Sequence, residues 1–289
     1  MQLASRFRNA SGIRADMPLS DDQIRAVAPS IFAEAAHESR SARYTYIPTI
    51  DVLNGLRKEG FQPFMVCQTR VRNEEKREHT KHMIRLRHAD QIAGREANEI
   101  ILLNSHDGTS SYQMLAGMFR FVCSNGMVCG ETTSDIRVRH NGDVVGDVIE
   151  GAFKVLDSFE EATTQREAMQ VLTLNQGEQA AFARAALALK YDDQDSGAVP
   201  VTESQILAPR RFEDRRDDMW TTFNRVQENM MKGGLRGRNR SGRTTTTRPV
   251  NGIDQSVKLN RALWVLAEEM RRDRKSTRLN SSHMSISYA

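Results

Sequence analysis

The chain has 289 residues, of which 41 are basic and 37 acidic, giving a formal net charge of +4 at neutral pH. This small excess excludes a strongly basic protein, so support for nucleic-acid binding has to come from local clusters. No apolar run approaches the roughly 20 residues of a membrane-spanning helix, and residues 1–16 lack the apolar stretch of a secretory signal. Cys67, Cys123 and Cys129 have no disulfide-framework spacing, so we expect reduced thiols, a cytoplasmic protein and no membrane partner.

Residues 1–40 are predicted to form an N-terminal helical segment. No ordered element is predicted over residues 1–18, whereas Ser20-Asp-Asp-Gln23 matches a capping box that opens a helix through about Glu34. A second helix is predicted from Thr49, which suits a helix cap, to Gly60, which suits a helix end.

Residues 41–145 are predicted to form an α+β core, because the apolar period changes to two from Phe61 onward. The predicted strands are Phe64–Val71, His82–His88, Glu99–Asn104 and Asp135–His140, with a core segment over Tyr112–Cys129. Because these strands follow one another without intervening helices, the predicted fold class is α+β with a central antiparallel or mixed sheet.

Residues 146–272 are predicted to form a mostly helical half that packs on this core. Helical periodicity runs over Val144–Gln170, Asn175–Tyr191, Pro209–Met231 and Ile253–Arg272. The Gly-, Arg- and Thr-rich segment 232–249 interrupts it, and we predict a mobile basic loop there.

The last seventeen residues, 273–289, resemble a translated sequencing adapter. The run from Asp273 to His283 matches one frame of a common short-read adapter, and Met284-Ser285 fits a sample index. We therefore expect an artefact and exclude this tail from the interpretation. Without its three basic residues and one acidic residue, 38 basic residues face 36 acidic ones, and the net charge falls to +2.

Three groups of motifs resemble a known family. They are Ile101-Leu-Leu-Asn-Ser-His-Asp-Gly108, Gly117-Met-Phe-Arg-Phe-Val-Cys-Ser-Asn-Gly126, and Thr247-Arg-Pro-Val250 followed by Asn260-Arg-Ala-Leu-Trp264. Over roughly residues 40–272, the chain is similar to the phage/plasmid-like family called domain of unknown function 932. The resemblance implies a genomic setting in prophages, plasmids and related mobile elements, and it implies no particular reaction.

A band of arginines is predicted on one face of the sheet. Arg85 and Arg87 alternate along one strand, Arg137 and Arg139 alternate along another, and Arg120 is expected to join them. Guanidinium groups pair bidentately with phosphate oxygens, so an exposed band favours nucleic-acid binding. A solvated sheet face balanced by carboxylates is the alternative.

The segment 232–249 is a second basic cluster, with no acidic residue. Its basic residues are Lys232, Arg236, Arg238, Arg240, Arg243 and Arg248. Like charges repel unless a partner neutralises them, so we favour contact with a phosphate backbone over a plain solvated linker. Single-stranded DNA is the expected ligand, because no recognition helix or dimeric half-site reader is evident.

Asn104, His106 and Asp107, together with the later Asn125, form a possible functional turn. These residue types suit a polar site at a strand end. Asn, Asp and Gly also meet the steric needs of a tight turn, and that structural interpretation is favoured.

Three functional hypotheses follow. The leading one is a nucleic-acid-binding accessory factor of a mobile element, without catalysis. The second is a factor that binds a host protein, such as a defence enzyme, with Trp220 and Trp264 as anchors. The third is a hydrolase-type enzyme that uses His106, Asp107 and a nucleophile such as Cys123 or Ser124. No metal-ligand set or cofactor fingerprint appears, so no metal and no cofactor are predicted.

Overall fold

The structure, a computed structural model, describes residues 10–40, 46–71, 74–89, 96–121, 125–129, 136–137, 144–191, 200–239 and 241–284. The chain divides into two compact units. The first contains Met1–Glu160 and Asn251–Gln255, and the second contains Glu161–Val250 and Ser256–Ala289.

An antiparallel sheet dominates the first unit. Its strands are β1 Ala10–Arg14, β2 Phe61–Thr69, β3 His82–His88, β4 Glu96–Asn104, β5 Gln113–Arg120, β6 Asn125–Val128 and β7 Ile136–Arg137. Strands β1 to β6 lie side by side in chain order, and β7 also pairs with β5. All of these pairs are antiparallel, so the predicted α+β class with its central sheet is confirmed.

Two predictions for the N-terminal segment are wrong. Strand β1 lies within residues 1–18, because it pairs with β2, about fifty positions away, and no local pattern indicates such a partner. The helix that begins at Ser20 has the predicted capping box, but α1 (Asp21–Val27) ends well before Glu34. Pro29 has no backbone N–H and disfavours helical geometry in the residue before it, so the helix cannot continue.

Helices cover one face of the sheet. Besides α1, the first unit contains α2 (Thr49–Lys58) and the first part of α3 (Val144–Val171). The sheet side chains facing them are apolar and buried, and they include Val66, Ile84, Leu86, Ile100, Leu102, Met114 and Ala116. None of the described helices in either unit is long and apolar enough to cross a membrane.

The opposite face of the sheet is also buried, because the sheet curls. The Arg14 guanidinium of β1 lies 5.0 Å from the ring centroid of Phe119 on β5, although three strands separate these two in the sheet. The enclosed side chains include Met65, Met83 and Ile101, each at most 5% exposed. The sheet therefore has buried side chains on both of its faces.

The second unit is built around a helix that is buried over most of its length. Its elements are α4 Gln176–Tyr191, α5 Glu203–Leu207, a 3-10 turn Phe212–Arg215, α6 Met219–Lys232, β8 Arg236–Arg238, β9 Thr244–Thr246 and most of α7 Ile253–Met284. On the central helix α6, Trp220 and Phe223 stack with ring centroids 5.6 Å apart, and Trp264 of α7 packs edge-on against both. Aromatic pairs in this geometry add to the stability gained from buried area.

Replacing Asp218 with alanine should lower the free energy of unfolding by about 1–2 kcal/mol, because the residue caps α6. Its Oδ1 accepts from the Thr221 amide at 2.8 Å, and its Oδ2 accepts from the Thr221 hydroxyl at 2.9 Å. Urea denaturation measures the loss. The matched control is Ser20→Ala, at the exposed cap of α1, and an equal or larger effect there would contradict the importance of the α6 cap.

Candidate functional site

Two of the strand arginines are buried. Arg85 is 4% exposed and Arg87 is 1% exposed, and both donate to Glu99 on the neighbouring strand. Arg85 Nη1 lies 2.6 Å from Oε2, and Arg87 Nε lies 2.9 Å from Oε1. The predicted exposed arginine face is therefore wrong at these positions, because the curled sheet encloses that face.

Aromatic rings surround the Arg87 guanidinium. Its central carbon lies 3.8 Å from the Phe119 ring centroid, 4.5 Å from that of Phe64 and 5.1 Å from that of Phe121. Burial lowers the pKa of Arg87, and the charge of Glu99 opposes that shift. The rings and the carboxylate together stabilise a cation away from water, so this cluster supports the fold and does not offer its charge to a phosphate.

Of the remaining strand arginines, Arg120 is also enclosed. The Arg120 side chain is 9% exposed, and its Nε lies 4.0 Å from Glu96. Arg137 belongs to β7, opposite Gln113, but its side chain is outside the described part. Arg139 lies outside the described residues altogether.

Asn104 and His106 belong to a buried hydrogen-bonded network at the end of β4. The hydroxyl of Thr49, the first residue of α2, accepts from Asn104 Nδ2 at 2.9 Å. The same oxygen lies 3.0 Å from His82 Nε2 and 3.4 Å from His106 Nε2. His82 Nδ1 in turn lies 2.8 Å from the Ser30 hydroxyl. Thr49, His82 and Ser30 were not predicted as members of a site, although His82 alternates with Ile84 and Leu86, which indicates an inward-facing histidine.

The other residues of the possible functional turn are not part of this network. Asp107 Oδ1 accepts from the Thr109 amide at 3.0 Å and from its hydroxyl at 2.6 Å, which is what a tight turn needs. The backbone of Asn125 lies in β6, opposite Arg120, and its side chain is outside the described part. Cys123 lies outside the described residues. In the part of the chain that is described, no group of three or more His, Cys, Asp or Glu side chains could hold a metal ion.

The buried histidine network should make the free energy of unfolding fall in mild acid. Burial, together with the neighbouring His106, lowers the pKa of His82 from its usual 6.5 to about 3. Burial and the neighbouring His79 lower the pKa of His106 to about 4. Both rings are thus neutral in the folded state, whereas the unfolded chain takes up protons below about pH 6.5. The contribution of the two neutral histidines to the free energy of unfolding is complete above about pH 6.5. It is lost progressively as the pH falls towards the folded-state pKa values, about 4 for His106 and about 3 for His82.

We therefore expect the urea midpoint to be lower at pH 5 than at pH 7, with each histidine contributing at most about 1.4 kcal/mol per pH unit. His106→Gln cannot take up the proton, so this variant should show about half of the pH dependence, whatever its stability at pH 7. Equal midpoints for the unchanged chain at the two pH values would contradict the buried, neutral histidines.

The segment predicted as a mobile basic loop forms a β-hairpin. In the ladder between β8 and β9, Arg236 lies opposite Thr246 and Arg238 lies opposite Thr244. At the turn, Asn239 Oδ1 accepts from the amide of Arg243 at 3.0 Å. The segment is therefore a hairpin and not an irregular loop, because main-chain pairing and this asparagine give it a regular structure.

The hairpin is fixed to the rest of the second unit along one side. A Cβ added at Gly237 would lie 1.6 Å from the Pro200 carbonyl oxygen, so only glycine permits this close approach. The same oxygen accepts from the Arg238 amide at 3.1 Å, and Gln205 Nε2 donates to the Arg236 carbonyl at 2.7 Å. The opposite side of the hairpin therefore faces outward, away from these contacts.

The outward side of the hairpin combines cations and hydroxyl groups. Side chains alternate across a strand, so Arg236 and Arg238 project away from the Gly237 contact, and Thr244 and Thr246 lie opposite them. These four residues, hereafter the ribbon face, are exposed. Arg243 near the turn is exposed as well, whereas Arg240 is outside the described residues.

Lys232 does not belong to this face. Its ammonium lies 2.7 Å from the carboxylate of the buried Glu228, so that charge is already paired. The tryptophans proposed as anchors for a host protein are also unavailable. Trp220 is 3% exposed, and Trp264 is 1% exposed and donates to Gln165 Oε1 at 3.0 Å. Both belong to the core of the second unit, where their rings pack edge-on against each other, so the anchor prediction is wrong.

The model of the family described as domain of unknown function (DUF932) matches residues 36–264 of the chain. The chain belongs to the DUF932 family. The resemblance predicted from three groups of motifs is thus confirmed, and the DUF932 match includes the hairpin and the network residues from Thr49 to His106, whereas Ser30 precedes it. The chain is 59% identical to UPF0380 protein YfjQ and 58% identical to UPF0380 protein YafZ, both from Escherichia coli (strain K12). Each alignment covers 93% of this chain and 97% of the relative, and no solved structure matches.

Proposed function

We propose that the chain binds nucleic acid through the ribbon face of the β8–β9 hairpin, by contacts to the sugar-phosphate backbone and without covalent chemistry. One observation carries this proposal. A hairpin fixed along one side presents two arginines opposite two threonines, in a segment that contains no acidic residue.

The residue types of the ribbon face suit phosphate. A guanidinium donates two parallel hydrogen bonds to phosphate oxygens, and the threonine hydroxyls supply further donors to the same acceptors. Because the hairpin is already ordered by its ladder and by Pro200 and Gln205, little backbone entropy remains to be lost on binding. Such contacts are independent of sequence, so we expect affinity without strong base preference.

Single-stranded DNA is the ligand we propose, in an accessory role without catalysis. The setting in prophages and plasmids that the family resemblance implies supports this choice, since DNA of mobile elements passes through single-stranded states. A ribbon can also follow a duplex groove, so duplex DNA of the same sequence is the necessary comparison.

Fluorescence anisotropy with labelled oligothymidylate tests the proposal directly. We expect micromolar or tighter binding at about 50 mM salt, and weaker binding to a duplex of the same length. Polyglutamate is the control, because it carries a similar charge density without the phosphate geometry that arginine recognises. Absence of binding at low salt, or equal competition by polyglutamate, would contradict the proposal.

A further inference from the structure

Phe212 is a large apolar residue on the surface. It is 78% exposed and begins the 3-10 turn Phe212–Arg215 of the second unit. The guanidinium of Arg215 lies 5.4 Å from the centroid of its ring. Single exposed hydrophobic residues are common, so exposure alone carries no function.

Buried ion pairs make this turn rigid. Arg211, immediately before Phe212, donates to both carboxylate oxygens of Glu228, at 2.6 and 2.8 Å. It also donates to Asp214 within the turn at 2.6 Å. Glu228 is 2% exposed and Asp214 is 1% exposed, so both acceptors are fixed in the interior. The Phe212 ring therefore projects outward from an ordered turn.

The same segment is tied to the base of the hairpin. Arg210 Nε donates to Asn229 Oδ1 at 2.7 Å, and Arg210 Nη2 donates to the Gly233 carbonyl at 3.0 Å. The chain from Glu228 to Arg236 spans at most roughly 20 Å, taking 1.5 Å for each helical residue and 3.4 Å for each extended one. A single nucleic-acid strand covers such a length with a few nucleotides.

We propose that Phe212 stacks on an unpaired base of the strand whose phosphates the ribbon face binds, and thereby favours single strands over duplex DNA. This inference rests on the proposed function. Every base has a π-face, so the contact tolerates any sequence, and the neighbouring Arg215 adds a cation beside the stacked base. In a duplex, neighbouring base pairs cover these faces, so the ring finds no partner there.

The test compares labelled oligothymidylate with an abasic sugar-phosphate oligomer of the same length. The unchanged chain should bind the oligomer that carries bases about tenfold more tightly. Phe212→Ala should lose this preference while keeping its affinity for the abasic oligomer, and Phe212→Trp should restore it. Phe153→Ala is the matched control, because it removes another exposed phenylalanine, 48% exposed, from α3.

The outcomes separate this inference from the proposed function. If the unchanged chain binds neither oligomer, both fail. If it binds, but Phe212→Ala keeps the full preference for bases, the stacking contact is refuted while the phosphate contacts stand. A loss that is equal for both oligomers would also refute stacking, because the abasic strand offers no ring to Phe212.

Discussion

Replacing Glu99 with alanine is expected to lower the free energy of unfolding by about 3–5 kcal/mol. Its carboxylate is fully buried and accepts from both Arg85 and Arg87. Removing it leaves two buried guanidinium groups without this counter-charge, and the aromatic rings around Arg87 offset part of the cost at that residue. Domains are typically stable by about 5–15 kcal/mol, so urea denaturation should detect a large shift.

Two controls locate the cause of that loss. Glu150→Ala removes the partner of Lys154 in an exposed pair on α3, and it should shift the urea midpoint far less than Glu99→Ala does, because solvent screens this pair. The apolar combination of Arg85→Met, Arg87→Met and Glu99→Leu should cost much less than Glu99→Ala alone, because it leaves no buried charge unpaired. If Glu99→Ala is no more destabilising than Glu150→Ala, water reaches these arginines and the enclosed ion-pair cluster is refuted.

Replacing Arg236 and Arg238 together with alanine should weaken binding to oligothymidylate by at least about tenfold, since two phosphate contacts are lost. The free energy of unfolding should change by less than about 0.5 kcal/mol, because both side chains are exposed, the ladder uses main-chain atoms, and the bond from Arg238 Nη1 to the Gly242 carbonyl is long, at 3.4 Å. Anisotropy and urea denaturation measure the two effects on the same preparation.

The matched control removes two other exposed cations. Lys154→Ala with Arg184→Ala lowers the net charge by the same amount, from side chains that are 63% and 75% exposed on α3 and α4. This pair should leave the affinity within about twofold, since a screened charge outside the interface contributes little. Equal losses from the two double variants would mean general attraction to a polyanion and would remove the ribbon face as the binding surface.

Local signals in the sequence were sufficient for part of the fold. The alternation of Ile84 and Leu86 with Arg85 and Arg87 correctly separates the two faces of β3, because side chains alternate strictly along a strand. The capping box at Ser20 was also predictable, since its hydrogen bonds join residues only three positions apart. The pairing of β1 with β2 was not, because it joins distant segments.

The arginine face shows what alternation alone leaves undetermined. Periodicity assigns Arg85 and Arg87 to the same face, but it cannot indicate whether the sheet curls over that face. The useful signal was Glu99, a single carboxylate at the start of the apolar run Ile100–Leu103 and on a strand expected to be central. A charged residue in a buried strand needs a partner, and opposite charges on an adjacent strand provide one.

The hairpin shows what composition alone leaves undetermined. The composition of segment 232–249 indicates a cluster of arginines, but its glycines predict a mobile loop and not a hairpin. Gly237 instead permits the approach to Pro200, and Asn239 and Gly242 form the turn. The contact with Pro200 is tertiary, so only the structure could separate a flexible glycine from a closely packed one.

The most direct test of the account is the salt dependence of oligothymidylate binding. The ribbon face and Arg243 offer three exposed guanidinium groups, so the logarithm of the affinity should fall with the logarithm of salt concentration with a slope of about −2, at about −0.7 for each contact with a single strand. The double variant Arg236→Ala with Arg238→Ala should reduce that slope to about −0.7. A flat affinity between about 50 and 200 mM salt, or an unchanged slope in the double variant, would contradict phosphate binding by this hairpin.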